Sequence, residues 1–178
     1  MYGGVLEFWF EKIDQKMWWA ADSNFDNQIR DRFFNLVIQA SQGELYTWRK
    51  EPKGRLAEII LLDQFTRNIF RNSPKAFHYD QLALVLAQEA VEAKAPSVLT
   101  KTECGFLLLP FMHSESKIIH NIAETLYQKY ATSYNYEYEL KHKAIIDRFG
   151  RYPHRNAILG RESSLDEIEF LKQPGSSF

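Results

Sequence analysis

Three stretches of this chain carry polar side chains whose types and spacing could do chemistry: Leu61–Arg71 (LLDQFTRNIFR), Leu109–Ser116 (LPFMHSES) and Arg148–Ser163 (RFGRYPHRNAILGRES). In the first, Leu56, Ala57 and Ile60 begin a helical arc that Asp63, Gln64, Arg67, Asn68 and Arg71 continue. Ile59, Leu61, Leu62, Phe65, Ile69 and Phe70 fill the rest of the circumference. A helix apolar nearly all round is a buried one, so its polar groups need partners. Asp63 and Arg67 stand one turn apart and can pair. Asp63 could equally orient a second basic group, or act as a base where water is excluded.

In the second stretch, a helix running through from Phe111 places Glu115 on the face of Phe111, Ile118, Ile122 and Leu126, where an acid demands a partner. His113, Lys117, His120 and Glu124 then share the opposite, solvated face. A helix delayed by Pro110 to Ser114 or Ser116 breaks this phase. His113 and His120 could in principle share a metal ion, but no third ligand has suitable spacing, so none is expected. His142 shares a stripe with Tyr138, Ile145 and Phe149 and points inward, as a core histidine or a base. The third stretch crowds Arg148, Arg151, Arg155 and Arg161 with His154, Asn156 and Glu162 into one irregular segment.

The chain has 10 Arg and 12 Lys, yet Arg55–Arg71 holds three Arg and 144–171 holds four, both without Lys. Planar guanidinium groups suit bidentate recognition of carboxylate or phosphate. One reading is therefore a site for a small anionic molecule, phosphorylated or carboxylate. Arg67, Arg71, Arg151, Arg155 and Arg161 would hold it, and Asp63, His113, Glu115, His142 and His154 would orient them or move protons, as in a hydrolase or transferase. The other is a peptide- or protein-binding helical module whose polar motifs are internal ion pairs, with an aromatic groove formed by Trp18, Trp19 and Trp48. No nucleophile elbow, P-loop, dinucleotide fingerprint or zinc-protease motif is readable.

The positioning elements read as helices almost throughout, giving an all-α array of about 8–10 helices in one domain over residues 1–178. The spacing predicts helices over Val5–Ile13, Ser23–Gln42 (capped by Ser23 or Asp22) and Leu56–Arg71, with Pro52 leading into the last. Asp80 reads as the cap of Gln81–Lys94, and Thr100-x-x-Glu103 as a capping box for Lys101–Leu109. A long helix to about Ala131 and another over Tyr136–Phe149 follow. Ser164-x-x-Glu167 caps the last, to Leu171. No stretch alternates as a strand does.

Net charge is −1, which gives no field for nucleic acid or membrane surface. A single cysteine, short apolar runs and a start without a basic region or long apolar core lead us to expect a cytoplasmic protein without a membrane span. Aromatic residues at 15% predict a core built on ring packing. No cofactor is expected, and a protein partner or self-association is left open.

The three stretches, in this order, resemble the bacterial domain-of-unknown-function 924 family, from the VLEFWF opening at Val5–Phe10 to a PGSSF ending at Phe178. The resemblance implies an all-helical, tetratricopeptide-like superhelix and no established activity, substrate or cofactor. It carries over Asp63, Gln64, Arg67, Asn68, Arg71, His113, Glu115, His142, Arg151, His154, Arg155, Asn156, Gly160, Arg161 and Glu162. Gln64, Asn68, Asn156 and Glu162 thereby join the ligand-binding candidates. Two departures stand out: Thr66 occupies a position that is usually Pro, which predicts a straighter helix, and Ser116 one that is often Asp.

Overall fold

The computed structural model describes residues 2–177; Met1 and Phe178, the last residue of the PGSSF ending, lie outside the described residues. Among the described residues all regular structure is helical. Helix α1 (Gly3–Glu7) continues as a π-helical turn, Phe8–Lys12, so the short helix expected there forms in two windings. Asp14 caps a 3-10 turn, Gln15–Trp19. Helix α2 (Ser23–Ser41) is capped by Asp22, which accepts from the Phe25 amide at 2.9 Å. A 3-10 turn, Tyr46–Lys50, leads to Pro52, whose fixed φ suits a first helical turn.

The organising segment follows. Helix α3 (Pro52–Ile60) passes into a π-helical turn, Leu61–Phe65, and then into α4 (Thr66–Ile69). In π winding each amide reaches one residue further back than in an α-helix, which leaves main-chain carbonyls to other donors. The Thr66 hydroxyl takes that role, donating to the Leu62 carbonyl at 2.7 Å. The uniform helix expected from Thr66 is thus replaced by a change of winding immediately before it. Arg30 donates to the Ile69 carbonyl and closes the C-terminal end.

Beyond it come α5 (Asp80–Glu92), α6 (Lys101–Leu107), α7 (Leu109–Met112), α8 (Lys117–Tyr130), α9 (Ser133–Phe149) and α10 (Leu165–Leu171). The two capping boxes, Thr100 with Glu103 and Ser164 with Glu167, both form. One expectation fails: Asp80 is not a cap, since it sits in the first turn of α5 and its carboxylate points elsewhere. Of the two readings left open at Pro110, the delayed helix start holds, and no helix runs through His113. Pro110 starts the short α7, and Ser116 caps a fresh helix by accepting from the Ile119 amide. The faces drawn through 111–126 are accordingly turned: His120 is fully buried and Ile118 is 72% exposed.

Leu56, Ala57, Ile59, Ile60, Leu61, Leu62 and Phe65 are all fully buried. Helix α3 packs against α1, α5 and α6, while the π turn and α4 lie against α2. The core is aromatic, as expected: Phe65 meets Phe33 at 4.9 Å and Trp9 at 5.3 Å between ring centroids. Helix α3 also holds the buried Glu58, matched by Arg49 at 2.7 and 2.6 Å. Among the described residues no helix is long and apolar enough to cross a membrane.

Gly54 sets how closely the 46–50 turn approaches α3, since a Cβ there would lie 2.0 Å from the Trp48 carbonyl oxygen. Alanine normally gains about 1 kcal/mol over glycine inside a helix. Here the clash outweighs that gain, and Gly54→Ala should lower unfolding free energy by about 2 kcal/mol in urea denaturation. An unchanged or raised midpoint would contradict the packing described.

Candidate functional site

Asp63 lies in the π turn with its side chain only 1% exposed. Its Oδ2 accepts from Gln64 Nε2 at 2.6 Å, and its Oδ1 lies 2.7 Å from His113 Nδ1. Burial alone would push this carboxyl up. The Arg67 charge foremost, then His113 and Gln64, outweigh burial and hold it well below the usual carboxylate range.

Arg67 serves two acids. Its Nη1 donates to the Asp63 carbonyl at 2.6 Å and approaches the Asp63 carboxylate at 3.3 Å. Its fork closes on Asp80, Nη1 and Nη2 each at 3.0 Å. The expected pairing within one helical turn is therefore the lesser contact. Arg155, in the 3-10 turn Pro153–Arg155, reaches the same acid: Nη1 is 3.5 Å from Asp80 Oδ2 and donates to the His113 carbonyl at 3.1 Å. Its guanidinium lies 4.8 Å from the Phe77 ring centroid and 4.5 Å from that of Tyr152. Two cations, two acids and one histidine thus meet where the π turn, the end of α7, the start of α5 and the 153–155 turn converge.

With Asp63 ionised, His113 Nδ1 carries the proton and donates it, which leaves the lone pair on Nε2. Among the described residues Nε2 has no hydrogen-bond partner, and the side chain is 14% exposed. Burial and the neighbouring Arg67 charge lower the His113 pKa against the pull of Asp63. His113 is therefore a neutral imidazole near pH 7, oriented by a carboxylate and basic at its outer nitrogen.

Tyr152 organises the surroundings. Its hydroxyl donates to the Met112 carbonyl, and its amide donates to Glu115 Oε1 at 2.7 Å. The rings of His154, His142 and His120 lie 5.5, 5.7 and 6.3 Å from its ring. His142 Nδ1 donates to the Tyr138 carbonyl at 2.8 Å, and burial pulls its pKa down to about 3. Burial and then Arg155 bring His154 to about 4. His120, expected on a solvated face, has Nε2 2.9 Å from the Ser114 carbonyl and Nδ1 2.7 Å from Glu139, whose carboxyl burial raises. The two histidines that could have shared a metal face separate carboxylates, and among the described residues no three ligating side chains group to hold one.

Several expected site residues lie elsewhere. Asn68 and Arg71 turn to Asp26 of α2, at 2.8 Å and at 2.5 and 2.8 Å. Arg151 grips Glu167 at 2.7 and 2.8 Å, and Glu162 contributes only its carbonyl to it. Arg161 closes its fork on Glu115 at 2.6 and 2.9 Å and reaches the buried Asn156, itself bonded to Ser163. The single polar arc drawn through residues 63–71 therefore serves two places, and the 148–163 loop spends most of its donors on its own shape. Asp80, Phe77 and Tyr152 are the residues of this cluster that were not among the expected site residues. An acid at a helix start reads as a cap, and with Asp63 one turn from Arg67 no unmatched charge pointed to Asp80. Two surface clefts, of about 600 and 360 Å³, lie away from this cluster; Trp18, Trp19, Phe106 and Tyr134 line the smaller. Trp48 is not part of it and packs on Tyr2 instead.

The family described as "bacterial protein of unknown function (DUF924)" matches residues 5–175, and the chain belongs to it. A solved structure titled as a protein of unknown function, ATU0120, from Agrobacterium tumefaciens is similar over 96% of each chain, with 33% identity and a TM-score of 0.91. Among curated proteins none matches.

Two outcomes follow from this geometry. A histidine whose folded pKa is depressed binds its proton in the unfolded chain first, so its contribution is whole above pH 6.5 and is lost as pH falls towards 3 for His142 and 4 for His154. Unfolding free energy should therefore drop between pH 6.5 and 4, by up to about 1.4 kcal/mol per pH unit for each such group. A flat profile in urea denaturation across that range would refute the burial of these rings. Asp80→Ala removes the acid that two guanidinium groups share and should cost about 3 kcal/mol in the same measurement at pH 7.

Proposed function

We propose that this family member binds a small anionic molecule, phosphorylated or carboxylate, over Arg67, Arg155 and His113. His113, oriented by Asp63, takes up a proton in a hydrolysis or group transfer. One observation carries the reading: a buried carboxylate fixes one nitrogen of a neutral imidazole and leaves the other unengaged beside two guanidinium groups. Glu115, His142 and His154 support the loop in this reading rather than react. Asp80 keeps the two cations in place.

A second reading rests on the cleft lined by Trp18, Trp19, Phe106 and Tyr134, with Trp19 55% exposed. There the helical array, tetratricopeptide-like, holds a peptide, and the ion pairs only tie elements together. Arg71, Arg151 and Arg161, each matched by one protein carboxylate, favour it.

A thermal-shift screen with phosphate monoesters and small carboxylic acids separates the two. A millimolar binder present at several times its Kd should stabilise the protein by about 1 kcal/mol or more. For any ester that the protein turns over, His113→Ala should slow the reaction by about 100-fold or more while the fold is kept. Absence of stabilisation by every anion in the screen would overturn the first reading.

A further inference from the structure

Arg155 differs from three other arginines in one respect. Arg49, Arg71 and Arg151 each place the Nε/Nη2 edge of the guanidinium on a protein carboxylate: Glu58 at 2.7 and 2.6 Å, Asp26 at 2.5 and 2.8 Å, Glu167 at 2.7 and 2.8 Å. Arg155 is more buried than any of these, at 6% exposure, yet only its Nη1 is engaged. Its Nε is fully buried and has no hydrogen-bond partner, and its Nη2 donates to no group among the described residues. A buried donor without an acceptor is costly, so proteins rarely leave one unless something else supplies the acceptor. The Phe77 and Tyr152 rings pack on this guanidinium, so an acceptor for Nε and Nη2 has to lie along its edge, and because Nε is fully covered a neighbouring side chain must shift to admit one.

We infer that the Nε/Nη2 edge of Arg155 is the attachment point for the carboxylate of a small organic acid, one oxygen accepting from each N–H. This rests on the anion reading above and narrows it to one residue and one ligand class. A carboxylate presents two oxygens in one plane, matching the edge as Glu58, Asp26 and Glu167 match theirs. Charge points the same way. Arg67 and Arg155 are already balanced by Asp63 and Asp80, so a monoanion leaves the cluster one charge from neutrality and a phosphate dianion two.

The test uses the whole protein labelled with 15N-arginine, with the Arg155 Nε–H signal assigned through its contacts to the Phe77 and Tyr152 ring protons. Acetate and propionate should move that signal saturably in the millimolar range and leave those of Arg71 and Arg151 in place, with inorganic phosphate at least tenfold weaker. Arg155→Lys keeps the charge and loses the edge, so carboxylate affinity should fall at least tenfold. If anions stabilise the protein while the Arg155 signal stays still and Arg155→Lys binds as well as the unaltered chain, the edge is not the attachment point, though the anion reading stands. Phosphate binding as tightly as carboxylate at a moving Arg155 signal overturns the ligand class. No binding by any anion removes both.

Discussion

A carboxylate in the middle of an apolar, fully buried helix has to be answered from nearby, and Asp63 sets that requirement for this molecule. Leaving such a charge unmatched costs several kcal/mol, a large share of the stability of a small protein. The answers come from the next residue, from Arg67 and from His113 fifty positions on. Each answer creates a further demand. Arg67 reaches Asp80, Asp80 draws in Arg155, and Arg155 holds the carbonyl of His113. The ring of interactions closes on itself. That closure explains why an irregular loop and the short α7 can be held against a helix with which they share no regular structure.

The arginines outside this ring do simpler work. Arg49, Arg71, Arg151 and Arg161 each join two different elements of the fold by closing a fork on one acid. Their pairing is planar and bidentate, so it fixes orientation as well as distance, which a lysine would not do. A Lys-free run of arginine is thus a sign of fixed geometry first, and of ligand recognition only where an edge is left over.

Much of the fold was legible because its signals are local. Caps at Asp22, Thr100 and Ser164 and the Pro at position 52 act through neighbours within four residues, and each marks a helix start where the sequence places it. The lengths of the windings were not legible. Of the two readings left open at Pro110, the delayed start holds: the short α7 ends at Met112 and Ser116 caps a new helix, and that break decides that His120 is inside and Ile118 outside. At the candidate site, Asp63, Arg67, His113 and Arg155 could be picked out by type and spacing. Asp80 could not, because an acid in the first turn of a helix satisfies the dipole equally well. Tyr152 could not either: its role comes from backbone and ring contacts that leave no pattern in the chain.

The π winding of Leu61–Phe65 bears on how the chain tolerates change in length. A π turn is equivalent to one extra residue in an otherwise regular helix, and it offsets everything after it by about 100°. Upstream, the helix meets α1, α5 and α6 through apolar side chains; downstream, Arg67 must find Asp80, and Asn68 and Arg71 must find Asp26. Both sets of partners are reached only with the offset in place. Losing a single residue between 61 and 65 would keep every side-chain type downstream and yet aim all of them at the wrong neighbours.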